Sequence, residues 1–211
     1  MPELELDIDS HRYTLDGVTI PGCTQVLTAM GATPGFNFLS QDELEFYRSR
    51  GHAVHSAVEY AVKGTLDHRT VVDEIRPYLR GWDAAVKDHG IEVLEFNGDP
   101  FVEKPLSHPI FRYGVKPDVV ARIGKESGPI EIKATSAHAP ATGLQLAAQR
   151  LAIRNVMPSI GNMRIGLRLL PKPPYYDLRY YVDKTDEAVW LSLLNGFNWL
   201  TKHKLLRENR R

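Results

Sequence analysis

The sequence of 211 residues contains a single cysteine, Cys23. One thiol can build no internal disulfide, no cysteine-based zinc site and no four-cysteine iron–sulfur cluster. Its isolation suggests a reducing, cytoplasmic setting. No histidine partner for Cys23 is evident in the sequence, so it reads as a buried or inert thiol. Long apolar runs are also missing. Nothing approaches the roughly 18 residues of a membrane-spanning helix, which removes the membrane as a partner. The opening stretch, MPELELDIDS, is acidic and has no basic segment followed by an apolar one, unlike a signal peptide. Charge of one sign is not in excess: 26 basic residues balance 26 acidic ones. That balance argues against a protein that coats nucleic acid without specificity. Phosphate-binding Walker loops, HExxH zinc motifs and GxSxG nucleophile elbows are absent. There is no internal repeat and no linker long enough to divide the chain. One domain over 1–211 is expected, with a core at about 19–183 and a C-terminal helix at 184–206.

What is present suffices for a real core, at 43% hydrophobic residues. Charge is balanced in total but uneven along the chain. Glu3, Glu5, Asp7 and Asp9 stand together without a base, whereas Arg150, Arg154, Arg164, Arg168 and Lys172 occupy a stretch without an acid. The tail adds Lys202, Lys204, Arg207, Arg210 and Arg211 against Glu208. Basic surfaces of this kind can track a phosphate backbone, although solvated faces explain them equally well.

Local patterns give the elements. HRYTLDGVTIPG reads as a hairpin turning at Asp16-Gly17. Thr24 suits the cap of a short helix ending at Gly31. Ser40 with Glu43 forms a capping box that opens a helix to about Lys63, with Gly51 as a point of kinking or division. A further helix is expected from about Val71 to His89, ended by Gly90. Extended segments follow in EVLEF, PFVEKPL, FRYGVKPDVVARI and PIEIKAT, then a helix in ATGLQLAAQRLAIRN with Thr142 as its cap. MRIGLRLL and DLRYYV read as strands. A last helix carries Val189, Leu193, Phe197 and Leu200 on one stripe. The order predicts an α/β domain, a central mixed sheet with helices on its faces.

Chemistry concentrates in YGVKPDVVARIGKESGPIEIKAT. In the last extended segment Ile130, Ile132 and Ala134 alternate on one face. Glu131 and Lys133 share the other, about 7 Å apart by strand rise. A surface ion pair would explain them. A hairpin centred near Gly124-Lys125 instead brings Asp118 opposite Glu131, so that two carboxylates and a lysine converge. Facing carboxylates repel unless a cation lies between them. Magnesium suits such a place, because it takes oxygen ligands and keeps waters for a phosphate substrate. Elsewhere, His55 and Glu59 lie four residues apart on one helix face. Gln145 and Gln149 do the same on a later helix.

The order Pro117-Asp118, a spacer, then Glu131-Ile132-Lys133 resembles the PD-(D/E)XK nuclease superfamily. Arg50-Gly51, Val54-His55 and Glu59 resemble the first motif of its RecB-like branch, which includes phage exonucleases. Gln145 resembles the glutamine that follows the Glu-x-Lys motif there. Gln149 stands where a tyrosine is usual, and TIPGCTQVL resembles the opening segment of some members. The resemblance covers about Thr19 to Ala152. Gly114 departs from it, standing four residues before Asp118 rather than three, which suggests a bulge.

The resemblance implies a restriction-endonuclease-like core and a Mg²⁺-dependent deoxyribonuclease, with Mn²⁺ as a substitute and no iron–sulfur cluster. Asp118, Glu131, His55 and the Ile132 carbonyl are then the metal ligands, and Lys133 completes the catalytic set with Asp118 and Glu131. Glu59 is expected to support His55 or a metal-bound water. Glu103 is either an aid to a second metal or a surface residue. Arg50, Gln145, Gln149, Arg150 and Arg154 are expected on the DNA. The activity implied is exonucleolytic, on linear ends, in bacterial or phage recombination, repair or processing. A homo-oligomer and a strand-annealing or recombination partner accompany some relatives. The competing readings are a non-catalytic DNA-binding or scaffold module on the same fold, and a structure- or site-specific endonuclease.

Overall fold

The computed structural model describes residues 3–8, 10–33, 40–135 and 137–206. Asp9, part of the loop expected after Gly31, and the basic tail from Arg207 onward lie outside the described residues.

Strands β1 (Leu4–Asp7), β2 (Arg12–Leu15) and β3 (Val18–Ile20) form an antiparallel sheet. The β2–β3 hairpin turns at Asp16-Gly17 as its sequence predicts, with both residues at positive φ. Strand β1 carries no such signal. It takes its place by pairing Leu4 and Leu6 across from Leu15 and Tyr13, where they pack on that sheet's buried side.

Helix α1 (Cys23–Ala29) is capped by Gly22, not Thr24, because the Gln25 side chain reaches back to the Gly22 N–H. Helix α2 (Gln41–Val62) opens on the Ser40–Glu43 capping box and runs through Gly51 without division. Helix α3 (Arg76–His89) starts later than expected, with Pro77 in its first turn, and ends at Gly90 in the left-handed conformation.

The extended segments then separate. EVLEF divides into β4 (Ile91–Val93) and β5 (Glu95–Phe96), and β5 pairs with β6 (Asp99–Pro100). FRYGVKPDVVARI divides into β8 (Tyr113–Val115), which pairs with β7 (Leu106–His108), and β9 (Val119–Ile123). Next come β10 (Glu126–Lys133), α4 (Ala141–Val156), β11 (Ile165–Leu169), β12 (Tyr176–Tyr180) and α5 (Asp186–Lys202). Thr142 lies within α4, whose cap is Pro140, and α5 ends short of residue 206. No helix among the described residues is long and apolar enough to cross a membrane.

The central sheet has the order β12-β11-β10-β9-β4. Only the β10–β11 pair is parallel, and α4 makes the crossover between those two strands. The fold is therefore α/β, a mixed sheet flanked by helices. One face packs under α2 and α3 through Val58, Leu79, Trp82, Ile130, Ile132 and Leu167. The other packs under α1, α4 and α5 through Leu27, Val120, Ala148, Ile153, Trp190 and Leu194. Both faces of β10 are thus covered, as an interior strand requires. On α5 the buried stripe is Trp190, Leu194 and Phe197. Val189, expected inside, is exposed: the stripe is set by the wide Trp190 ring packing edge-on against Tyr113.

Candidate metal site

The β9–β10 hairpin has the register that the sequence predicts. Its pairs run from Ile123↔Glu126 to Val119↔Ile130. The next step on that register sets Asp118 across from Glu131. At that step the ladder gives way to a side chain: Asp118 Oδ2 accepts the Ile132 backbone N–H at 2.6 Å. A carboxylate therefore fills a position in the sheet, with its second oxygen left for other partners. Pro117 fits here because it has no N–H to contribute to a ladder.

The Asp118 Oδ1 atom lies 3.2 Å from His55 Nδ1, which α2 brings across the sheet end. The same ring nitrogen lies 3.2 Å from Glu103 Oε1. Glu103 sits just past an isolated bridge between Val102 and Val119, with φ at 50°. A non-glycine residue in this left-handed region is uncommon and marks local constraint. Its N–H is shared between the carbonyls of Pro117 and Asp118. That backbone clamp fixes the Glu103 carboxylate beside Asp118. Lys116 pairs with the outer Glu103 oxygen.

One ligand atom from each of His55, Glu103 and Asp118 lies within 4.8 Å of the other two. Octahedral ligands at about 2.1 Å from a small divalent ion stand roughly 3 Å apart along each edge. The spacings at His55 match that edge, and two carboxylates with one imidazole are suitable donors. The residues present therefore fit a divalent ion. Glu103, left between two readings by the sequence, belongs to the innermost group.

Glu131 forms an adjoining station and is only 2% exposed. The surface ion pair is thus excluded. Its Oε1 accepts Lys133 Nζ at 2.6 Å and Gln145 Nε2 at 2.7 Å. Its Oε2 accepts Gln149 Nε2 at 2.7 Å. Both glutamines come from one face of α4, four residues apart, and hold the carboxylate rather than facing outward. Of Ile132, the N–H is the atom tied to Asp118, while its side chain anchors the strand in the α2–α3 core.

Electrostatics separate the two carboxylates. For Asp118, burial favours the protonated form, but the His55 ring opposes it more strongly in sum with Lys133 and the Ile132 N–H, and the pKa is lowered. For Glu131, burial and the Asp118 charge push the pKa up, against Lys133 and Gln149. The Asp118 charge thus opposes ionisation of Glu131, while Lys133 and Gln149 favour it. Burial works against a charged Lys133, yet Glu131 and Asp118 outweigh it and raise its pKa. Burial likewise disfavours protonated His55, but Asp118 and then Glu103 push it up to about 10. Both bases are thus held as cations by the acids around them.

Several expected site residues lie elsewhere. Glu59 bonds Lys63 at 2.5 Å along α2 instead of supporting His55. The i, i+4 lysine takes that carboxylate, while the His55 ring is engaged by Glu103 and Asp118. Arg150 is absorbed into the protein, bonding the Gly161 carbonyl, Asn162 and Glu187. One residue beyond Gln149 it is turned about 100° round the helix, toward α5. The acid-free stretch is not a free basic groove either. Arg164 is buried against Asp186 and the carbonyls of Gly143 and Asp183, and Arg168 is tied to Asp177. Arg154 is exposed on α4 and belongs to no part of the cluster. Arg50 stands at the rim, donating to the Ala134 carbonyl at 3.0 Å. Gly114 forms no bulge. It lies within β8, and a Cβ there would meet the Tyr13 ring at 2.2 Å. Cys23 is buried, which pushes its thiol up and out of the reactive range.

Sequence reasoning missed Lys116. Its signal was available, since Lys116 and Asp118 are two apart in an extended segment and so share a side.

No family model matches this chain, and no curated protein matches it. Among solved structures it is similar to SSO0001, at 16% identity over 70% of this chain and 73% of that one, with a TM-score of 0.36. A likeness at that level carries no argument about activity.

Proposed function

We propose that this chain is a divalent-metal-dependent deoxyribonuclease of the PD-(D/E)XK type, acting on linear DNA ends. The observation that carries the proposal is the juxtaposition of two stations built on the buried carboxylates of Asp118 and Glu131. The His55–Glu103–Asp118 ligand group adjoins a Glu131–Lys133 pair, and the Asp118 and Lys133 charges act on one another.

Hydrolysis of a phosphodiester adds a water oxygen to phosphorus, with one water proton passing to solvent, and breaks the bond to one ester oxygen, which leaves as a hydroxyl after taking up a proton from solvent. His55, Glu103 and Asp118 would hold the ion, with Glu131 at its edge. Mg²⁺, or Mn²⁺ in its stead, would supply polarisation of the phosphate and a lowered pKa for bound water. Lys133 remains a cation under the pull of Glu131 and Asp118, which suits it to orient the attacking water and to stabilise charge growing on the phosphate oxygens. It is poorly suited to act as a free base. Gln145 and Gln149 keep Glu131 aimed, and Gln145 Oε1 also lies 3.4 Å from Lys133 Nζ. Asp118 binds backbone with one oxygen and faces the ligand group with the other, so its position does not depend on a flexible rotamer.

The test is digestion of end-labelled single- and double-stranded DNA with Mg²⁺, beside covalently closed circles. The expected result is loss of nucleotides from ends alone, abolished by Asp118→Ala and reduced about 10²- to 10³-fold by Lys133→Ala. Cutting of closed circles would make the chain an endonuclease. Activity absent with both Mg²⁺ and Mn²⁺ would leave a DNA-binding or scaffold module in its place.

A further inference from the structure

Three large side chains gather at the N-terminal half of α2, outside both stations. Phe46 and Tyr47 are exposed to 48% and 44%, and their rings meet edge to face with centroids 5.7 Å apart. The Arg50 guanidinium carbon lies 5.6 Å from the Phe46 centroid, 5.0 Å from Tyr47 and 5.9 Å from Tyr78 on α3. These are cation–π distances. Arg50 Nη2 is fixed on the Ala134 carbonyl, one residue beyond Lys133, while Arg50 Nε is buried without a partner. The ring pair is thereby fastened to the end of β10, where the Glu131–Lys133 pair also lies.

A hydrophobic core does not need this arrangement, because the two rings stay half in solvent. A protein partner would be met by a contiguous apolar patch. Here the neighbours are polar: Arg48 is exposed, and Ser49 bonds Glu45. Ring faces beside guanidinium groups are instead the chemistry that takes unpaired bases by stacking and their phosphates by charge.

We infer that Phe46, Tyr47 and Arg50 form a stacking platform for unpaired nucleotides of a single DNA strand leading to the Glu131–Lys133 pair. The inference rests on the nuclease reading for its substrate, but its readout does not require hydrolysis. The platform accounts for a cation and two aromatic rings held at the strand end that carries Lys133. It also makes the substrate end single-stranded, or frayed, where it meets the protein.

The experiment measures binding of a fluorescein-labelled oligothymidylate by anisotropy in a Lys133→Ala background, with Mg²⁺ present. A Phe46→Ala/Tyr47→Ala double variant is compared with Phe46→Leu/Tyr47→Leu, which keeps apolar bulk, and with Tyr47→Phe, which keeps both rings. About a tenfold loss or more is expected for the two ring-less forms and little for Tyr47→Phe, at one base-stacking contribution per ring. A strand carrying abasic nucleotides should bind all forms equally weakly, and 2-aminopurine in the strand should be quenched by the ringed forms alone. Equal binding by all variants would overturn the platform, as would a loss of the same size on the abasic strand. No binding by any form would do so too. So would a dimer in sedimentation that the double variant dissolves, since a second copy would then cover the rings. If the parent chain hydrolyses DNA while the rings prove indifferent, the platform alone fails. If hydrolysis is absent while ring-dependent quenching persists, the platform stands and the nuclease reading fails.

Discussion

At the scale of single residues, the site is a competition among cations for acids. Lys116 pairs with the outer oxygen of Glu103, His55 sits between Glu103 and Asp118, and Lys133 holds Glu131. A divalent ion bound as proposed would have to displace or share these contacts. Replacing Lys116 by Met removes one competitor from Glu103, so Mg²⁺ or Mn²⁺ should bind a few-fold tighter by calorimetry, while Lys116→Arg should bind as the parent does. The size follows from the modest worth of an ion pair that is partly exposed. Weaker binding in Lys116→Met would mean that the lysine supports the ligand group instead of guarding it.

His55 gives the same competition a pH dependence. Its pKa rises from the ordinary 6.5 to about 10, because Asp118 and then Glu103 outweigh burial. A raised pKa means that protonation stabilises the fold. That contribution is complete below pH 6.5 and is lost as pH climbs through 10. In EDTA, urea unfolding of the parent should therefore lose stability across this window relative to His55→Gln. An ion bound as proposed would need the imidazole lone pair, so its binding would expel a proton. Ion affinity should rise over the same window, with proton release visible as a buffer-dependent heat. A pH-independent affinity would show that His55 is not a ligand.

At the scale of elements, the hairpin decides the site. Asp118 and Glu131 meet only if the turn is at Gly124-Lys125, and a one-residue slip would send one of them to the other face. Gly128 sets how closely β10 lies against the segment that leads into β11. A Cβ at that position would lie 1.8 Å from the Met163 carbonyl oxygen of the neighbouring segment, which is backbone and cannot rotate away. Gly128→Ala should cost about 1–3 kcal/mol in urea unfolding, the usual range for overpacking. It should also lower ion affinity, because β10 must shift to accommodate the methyl group. Gly51→Ala, on a helix face where a Cβ meets nothing within 4 Å, should instead be neutral or stabilising.

The legible elements were those whose signals are local. The Asp16-Gly17 turn, the Ser40–Glu43 box and the Gly90 stop depend on near neighbours, and each stands where its sequence indicates. The paired register of Asp118 and Glu131 was readable because the turn that sets it is short. The rest depends on distant contacts. Glu103 becomes part of the ligand group through a positive φ imposed by carbonyls fourteen and fifteen residues away, which no periodicity records. Arg150 looks basic and free in the sequence, but Glu187 and Asn162 arrive from later in the chain to bind it. On α5 burial passes from Val189 and Leu193 to Trp190 and Leu194, with Phe197 kept inside, because Tyr113 supplies a site for Trp190.

At the scale of the molecule, the sheet divides two cores of different duty. The α2–α3 core carries Ile130 and Ile132, whose strand aims Glu131 and Lys133 to the opposite side. The α4–α5 core holds α4, whose glutamines steady Glu131, and α4 is in turn fixed by Tyr113, which donates to the Ala148 carbonyl at 2.9 Å and packs on Trp190. Trp190 touches no ligand, so its removal separates support from chemistry. Trp190→Phe, which keeps an aromatic ring in the fully buried site, should destabilise the protein by about 1–3 kcal/mol in urea. Ion affinity under native conditions should stay within a factor of about two, since distant sites add independently. Glu131→Gln should do the reverse. It removes a buried charge that Lys133 and the two glutamines were arranged to hold, so ion binding should fall sharply. Lys133, no longer drawn upward by Glu131, should titrate at lower pH by NMR. An equal loss of ion affinity in Trp190→Phe would mean that α4 transmits packing strain directly to Glu131 and that the two cores are not separable.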